Sequence, residues 1–289
     1  RNDALVVFAE TFAPSGFNPA AFVASYGLAE VTLAVSFAPL GKGLRLDRVD
    51  SARMQTSGRA IPEVAIDRPG AQVRTFVSCG RPLQSLEMRI VDKDDQPLAD
   101  RRVGRVIVKG PSIAAGYFRA GEDVQPVTDA QGWLETGDLG YWLDGEVVIT
   151  GRSKDLILWN GRNIWPQDIE WVAQKAGGKN ISRAAAFEVQ ETDDTTRIML
   201  LAECWSREAE VRAELVRDIA AAARSATGAP IFVELVGVRT LPMTSSGKLS
   251  RAAARARYLA GGFSEGLGAT PENARADVQL AVAAPKRGG

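Results

Sequence analysis

The strongest constraint on the fold is a change of hydrophobic pattern at residue 152. Residues 73–150 contain short, alternating or β-branched apolar runs separated by turn sequences such as the Asp-Gly pair at 144–145. Residues 152–263 alternate strand-like runs with helix-like runs, of which 207–226 is the longest. The pattern predicts an α/β protein, with a β-rich subregion followed by a small, compact α/β domain.

The same pattern divides the chain into regions. We expect residues 1–151 to be the end of a larger domain and residues 264–289, which lack aromatic side chains, to form a flexible tail. Residues 41–71 are charged and poor in large apolar side chains, and we interpret them as an extended surface insertion. The chain starts inside a helix-like run without an initiator Met, so we interpret it as a C-terminal piece of a longer protein.

Composition excludes several classes of chemistry. The chain has no histidine, which rules out a Ser-His-Asp triad and a histidine base. Its net charge is zero, which argues against capture of nucleic acid by bulk charge. Cys79 and Cys204 lie far apart and form no disulfide or zinc pattern, so we expect a reducing, cytoplasmic location. The charge-poor stretch 20–41 is interrupted by Glu30, and we expect no membrane span.

Two polar residues flank one predicted hairpin. Asp138 lies in Thr-Gly-Asp-Leu-Gly at 136–140, which we place in a tight turn at the end of a strand. Its carboxylate could accept hydrogen bonds from the vicinal hydroxyls of a ribose, or it could cap its own turn. Arg152 follows the next strand, and its planar fork suits ribose or phosphate oxygens. A surface ion pair with Asp155 is the alternative for Arg152.

Lys248 lies in a polar loop, Thr-Ser-Ser-Gly-Lys at 244–248, that precedes a helix beginning near Ser250. The loop lacks the first glycine of a phosphate-binding P-loop, which excludes that assignment. A lysine on a short loop can offset the repulsion between a carboxylate and the phosphate that it attacks. A solvated lysine before a helix is the alternative.

A third candidate segment is Tyr-Gly-Leu-Ala-Glu at 26–30. The ring of Tyr26 could stack on adenine, and Gly27 permits close approach of a ligand to the backbone. The Glu30 carboxylate could hold Mg²⁺, since such sites often use one or two carboxylates together with phosphates. A buried tyrosine and a paired glutamate in a core segment are the alternative.

The segments 26–30, 136–140, 151–155 and 244–251 resemble, in this order, the motifs of the adenylate-forming enzyme superfamily. Those enzymes make an acyl-AMP from ATP and a carboxylic acid. The resemblance implies nucleotide contacts, including the adenine, ribose and Mg²⁺ sites, at Tyr26, Gly27, Glu30, Asp138 and Arg152. It also implies a catalytic lysine that bridges the substrate carboxylate and the α-phosphate, at Lys248, and a hinge for rotation of the C-terminal domain, at Lys154. A plain solvated linker around Lys154 is compatible with a hinge.

Two further segments, 77–82 and 160–170, together with the long segment between Glu30 and Cys79, resemble fatty acyl-AMP ligases. Ile-Trp at 164–165 departs from the His-Tyr that the family often has. The resemblance implies a ligase of lipid or polyketide synthesis that adenylates a fatty acid with ATP and Mg²⁺. The acyl group then passes to the phosphopantetheine of an acyl carrier protein.

Two rival functions remain open. An acyl-CoA synthetase would perform the same first step and use CoA as acceptor. A non-catalytic module would only dock a carrier protein. The phosphate loop of the family is absent from these 289 residues, so we expect the chain by itself to have little or no activity.

Overall fold

The computed structural model describes residues 2–65, 72–118, 120–190, 195–244 and 247–263. The chain divides into two compact units, Arg1–Trp165 and Pro166–Gly289. This division falls later than the expected boundary between residues 151 and 152, because the segment that follows Arg152 packs with the first unit. The expected tail at 264–289 lies outside the described residues.

The first unit is mostly β-structure, as the alternating apolar pattern predicts. Its α-helices are α1 (Asn2–Phe12) and α2 (Ser51–Ser57), and its 3₁₀ helices are Ala13–Ser15, Pro19–Ala21, Ala29–Val31, Glu63–Ala65 and Ser153–Asp155. Its strands are β1 (Ser25–Gly27), β2 (Ala34–Phe37), β3 (Leu46–Asp50), β4 (Val73–Val77), β5 (Arg81–Pro82), β6 (Glu87–Val91), β7 (Gly104–Lys109), β8 (Gly116–Tyr117), β9 (Gln125–Pro126), β10 (Leu134–Leu143), β11 (Glu146–Arg152), β12 (Ile157–Trp159) and β13 (Arg162–Ile164).

The main sheet of the first unit is antiparallel and has the strand order β11-β10-β7-β6. One face of β7 contributes Val106 and Val108 to a hydrophobic cluster, because alternate side chains of a strand point to the same face. Leu134 of β10 joins them, together with Tyr26 and Val31 from the small sheet β1-β2-β5 and its neighbouring turn. This shared core holds the 26–30 segment against the main sheet.

The prediction of a tight turn at 136–140 is wrong, because these residues lie inside the long strand β10. The register of β10 against β7 is interrupted between Glu135 and Leu139. Gly137 has a φ of +72°, a conformation that costs glycine little and other residues more. The motif is therefore an irregular segment within a strand, and it places Asp138 directly opposite Arg152 of β11.

The expected surface insertion at 41–71 is more ordered than its composition suggests, and 66–71 lie outside the described residues. Strand β3 pairs with β4, and helix α2 follows it, capped by Asp50, whose Oδ1 accepts from the backbone N–H of Arg53 at 3.1 Å. Val49 and Met54 are fully buried in a hydrophobic cluster. A few buried apolar residues therefore suffice to anchor this charged segment.

The second unit is α/β, as predicted. Its elements are α3 (Pro166–Gly177), a 3₁₀ turn (Gly178–Asn180), β14 (Ile181–Gln190), β15 (Thr196–Cys204), α4 (Ala209–Thr227), β16 (Ile231–Val236) and α5 (Arg251–Leu259). Strand β15 pairs antiparallel with β14 and parallel with β16, and α4 provides the crossover that a parallel pair requires. Helix α5 begins where predicted, since the Oγ of Ser250 accepts from the backbone N–H of Ala253.

Candidate active site

Asp138 is the centre of the polar cluster in the first unit. It is 7% exposed, and its Oδ2 accepts a hydrogen bond of 2.7 Å from the hydroxyl of Tyr26. Its backbone N–H donates to Oγ1 of Thr136, whose own hydroxyl donates to the carbonyl of Val106. These hydrogen bonds fix the carboxylate at the sheet surface. A carboxylate held in this way can act as a rigid acceptor for a ligand hydroxyl.

Arg152 ends β11 opposite Asp138, and its Nε lies 3.2 Å from Oδ1 of that carboxylate. The Arg152 side chain is 67% exposed. An ion pair with such an exposed member adds little to stability, because water screens the two charges. The guanidinium is therefore held at one edge by Asp138 while much of its surface is accessible to a polar ligand.

Tyr26 contributes a hydroxyl to the polar cluster, where it donates a hydrogen bond to Asp138. The residue is 9% exposed, and it packs in the hydrophobic cluster with Val31 and Leu134. Burial, followed by the neighbouring charge of Asp138, raises the pKa of the Tyr26 hydroxyl well above its ordinary range. The group therefore remains a neutral donor to Asp138. The predicted stacking of the ring on adenine stays a prediction.

Gly27 pairs with Ala34 of β2, at a point where the register of β1 against β2 shifts. A Cβ atom at this position would come within 1.8 Å of the carbonyl oxygen of Leu33, which is backbone and has little freedom to move. The position thus requires glycine for chain packing. Its predicted part in nucleotide binding stays a prediction.

Glu30 lies in the 3₁₀ turn Ala29–Val31, and its Oε1 accepts a hydrogen bond of 2.7 Å from the Tyr117 hydroxyl. That bond is the first cause that lowers the pKa of Glu30, and the positive charge of Arg152 lowers it further. Glu30 is therefore ionised at neutral pH. Sequence reasoning missed Tyr117, because no local pattern connects a Gly-Tyr pair at 116–117 to a turn so distant in the chain.

The donor set around Glu30 fits Mg²⁺ held mainly by a nucleotide. Among the described residues, no group of three or more Cys, Asp and Glu side chains is arranged to hold a metal ion. A single oxygen ligand suits Mg²⁺, which keeps several waters and commonly binds through one or two carboxylates plus substrate phosphates. Glu30 would hold such an ion through its carboxylate, and the ion would neutralise phosphate charge.

Lys248 belongs to the second unit and is exposed. Its backbone N–H donates to Oγ1 of Thr244 at 3.1 Å, and its carbonyl accepts from the backbone N–H of Thr244 at 2.7 Å. Gly247 has a φ of +75°, which closes the turn. Backbone hydrogen bonds thus join the described ends of the loop, and the Lys248 side chain is exposed.

Lys154 lies in the 3₁₀ helix Ser153–Asp155, directly after β11, within the first unit. Its hinge role stays a prediction.

The structure thus brings Tyr26, Asp138 and Arg152 together, with Glu30 and Tyr117 beside them, and it describes Lys248 in the other unit.

Comparison with known proteins identifies the class. The profile of the family described as "AMP-binding enzyme" matches residues 4–118. A solved structure from studies of fatty acyl-adenylate ligases from E. coli and L. pneumophila superposes with a TM-score of 0.80 at 39% identity. It covers 89% of this chain and 45% of the other. The mixed α/β fold is that of adenylate-forming enzymes.

Two curated relatives narrow the family. A protein of Caulobacter vibrioides, provisionally named an acyl-CoA synthetase, is 44% identical over 269 residues, which are 92% of this chain and 46% of the relative. The medium-chain-fatty-acid–[acyl-carrier-protein] ligase JamA of Moorena producens is 32% identical over 276 residues, covering 90% and 46% respectively. The chain spans about half the length of these relatives.

The chain belongs to the AMP-binding enzyme family, and fatty acyl-AMP ligases are among its relatives. Enzymes of this family use ATP. None of the helices in the described part of the chain has the length and apolar character needed to cross a membrane.

Proposed function

We propose that this chain is part of a longer, cytoplasmic ligase that adenylates a fatty acid with ATP and then transfers the acyl group to a carrier protein. The observation that carries the proposal is the fixed pair of Asp138 and Arg152, in which a buried carboxylate and an exposed guanidinium fork lie side by side. A ribose with an adjacent phosphate carries the complementary groups, two hydroxyl donors and an anion.

In the first step, a carboxylate oxygen of the fatty acid forms a bond to the α-phosphorus of ATP, and the bond from that phosphorus to pyrophosphate breaks. Two anions must approach each other, and positive charge has to offset their repulsion. In our proposal, Lys248 supplies that charge from its loop. Asp138 holds the ribose hydroxyls and Arg152 contacts the nucleotide. Glu30 would hold Mg²⁺, which would supply positive charge to the phosphates.

The acceptor in the second step is proposed to be the phosphopantetheine thiol of an acyl carrier protein. The thiol sulfur attacks the acyl carbon, and AMP leaves with the electron pair of the broken C–O bond. The name of JamA supports this acceptor. The name of the Caulobacter vibrioides relative favours a second candidate, an acyl-CoA synthetase that uses CoA in the same step.

The test uses the full-length ligase with ATP, Mg²⁺ and fatty acids of several chain lengths. We expect acyl-AMP and pyrophosphate to form, and the acyl group to move to a holo carrier protein and not to CoA. Efficient formation of acyl-CoA would instead establish the second candidate. Absence of acyl-AMP with every fatty acid would contradict both enzymes and favour a non-catalytic module. The 289-residue chain alone serves as a control and should be inactive.

A further inference from the structure

A partly buried ion pair joins the first residue of helix α5 to helix α3 in the second unit. The Nε of Arg251 lies 2.7 Å from Oε1 of Glu170, and its Nη2 lies 2.8 Å from Oε2. The two side chains are 17% and 7% exposed. This bidentate arrangement is the geometry in which a guanidinium and a carboxylate fix each other's direction as well as their distance.

Glu170 has a third partner. Its Oε1 also accepts a hydrogen bond of 3.0 Å from the backbone N–H of Ala186 in strand β14. One carboxylate thus links α3, the sheet and the start of α5. Removing two charges from water is costly, and well-packed apolar residues often replace such a pair with no loss of stability. Stability alone therefore does not explain this pair, whereas fixed orientation does.

The helix start that this pair fixes is the base of the Lys248 loop. Ser250 caps α5, and its backbone N–H donates to the carbonyl of Pro242 at 3.0 Å. Met243 and Leu249 form a β-bridge, and above it Thr244 and Lys248 are joined through their backbones. These contacts hold the two described ends of the loop together, so the orientation of its base determines where the Lys248 backbone lies.

We infer that Glu170 and Arg251 are positioning residues for Lys248. The inference rests on the proposed function, in which the Lys248 amine must reach a carboxylate and a phosphate during adenylation. A displaced base would move the amine away from the reacting atoms, and errors of about 1 Å in such placement can cost about 100-fold in rate. The second step joins a thiol to an acyl group already made, and it does not need this amine.

The test separates the two steps in the full-length ligase. Acyl-AMP formation is measured by fatty-acid-dependent exchange of pyrophosphate into ATP, and acyl transfer is measured from supplied acyl-adenylate. Arg251→Lys keeps the charge and removes the planar fork. We expect its exchange kcat to fall about 10- to 100-fold with little change in the KM for ATP, and its acyl transfer to stay at the wild-type rate.

Arg255→Lys is the matched control, because Arg255 is an exposed residue of the same helix whose Nε donates to the carbonyl of Glu188. It should leave both steps unchanged. If Arg251→Lys fails to fold, the double variant Glu170→Met with Arg251→Met replaces the pair by apolar side chains of similar length. A folded double variant should lose exchange and keep acyl transfer.

Three outcomes would overturn the inference. Exchange at the wild-type rate in a folded Arg251→Lys or double variant would show that the pair does not position the loop. An equal fall in both steps would assign the pair a structural role only. If Lys248→Ala itself leaves exchange unchanged, the proposed role of Lys248 fails along with the inference. The proposed function itself fails only if the wild-type ligase forms no acyl-AMP. If Lys248→Ala lowers exchange and the pair variants do not, the inference fails alone.

Discussion

Arg152 and Asp138 face each other across the β10–β11 hairpin, with 3.2 Å between the Arg152 Nε and the Asp138 Oδ1. The carboxylate is buried and bonded to Tyr26, whereas the guanidinium is mostly open to solvent. A buried anchor that orients an exposed cation is suited to binding a ligand, because the cation keeps its direction before the ligand arrives.

If Asp138 binds the ribose, its removal should abolish discrimination between sugars. We expect Asp138→Ala to weaken ATP binding by the full-length ligase about 10- to 100-fold, the equivalent of one or two hydrogen bonds to a charged group. Binding of 2′-deoxy-ATP should weaken less, so the two dissociation constants should converge. Calorimetric titration measures both constants. Asp94→Asn, in an exposed turn, is the control. Equal weakening for both nucleotides would contradict the ribose contact.

Gly27 should tolerate no side chain, because a Cβ there meets the Leu33 carbonyl oxygen. Gly27→Ala should destabilise the 289-residue chain by about 1–3 kcal/mol, the usual cost of overpacking. The free energy of unfolding is measured by urea denaturation. At Gly237 the nearest atom to a Cβ is the Thr240 methyl at 3.4 Å, an ordinary contact, so Gly237→Ala should change little. Equal effects in the two variants would refute this explanation.

A hydrogen bond between Tyr141 and Asp47 anchors the 41–65 segment in addition to its apolar contacts. The Tyr141 hydroxyl donates to Oδ2 of buried Asp47 at 2.6 Å, and Arg101 pairs with the same carboxylate. We expect Tyr141→Phe to lower the free energy of unfolding by about 1.5–3 kcal/mol, since it removes a hydrogen bond to a buried charge. Tyr117→Phe, at a side chain 55% exposed, should cost far less. No loss in Tyr141→Phe would contradict the anchor.

We predict that the free energy of unfolding depends on pH through the carboxyl group of Glu234. Burial raises the pKa of this half-buried carboxyl above its ordinary value of 4.5. The folded state therefore retains a proton that the unfolded state loses, and stability falls as pH rises from 4.5 through the folded pKa. Glu234→Gln should reduce the loss of unfolding free energy between pH 4.5 and pH 8. The control Glu208→Gln, at an exposed position, should leave that loss as in the wild type. An unchanged pH profile in Glu234→Gln would contradict the prediction.

Local features of the fold were predictable from local sequence. The Asn-Gly pair at 160–161 predicts the turn between β12 and β13, where both residues have positive φ. Ser250 predicts the start of α5 through its capping oxygen. The sequence predicts a turn at 136–140 because glycine is common in turns. In the structure, Gly137 adopts its positive φ inside strand β10.

Contacts between distant side chains were not predictable. The bonds from Tyr26 to Asp138 and from Tyr117 to Glu30 join residues that only tertiary packing brings together. Likewise, Glu170 and Arg251 look like ordinary surface charges in the sequence, and their burial depends on how α3, β14 and α5 pack. Periodicity describes which face of an element is apolar, and it carries no information on which polar groups meet.

The most direct test of the central claim is fatty-acid-dependent pyrophosphate exchange by the full-length ligase with Lys248→Ala. We predict a fall of at least ~100-fold relative to wild type, the usual cost of removing a group that stabilises transition-state charge. Lys179→Ala, at an exposed position of the same unit, should exchange at the wild-type rate. Exchange by Lys248→Ala at the wild-type rate would contradict the claim that Lys248 supplies the positive charge needed for adenylation.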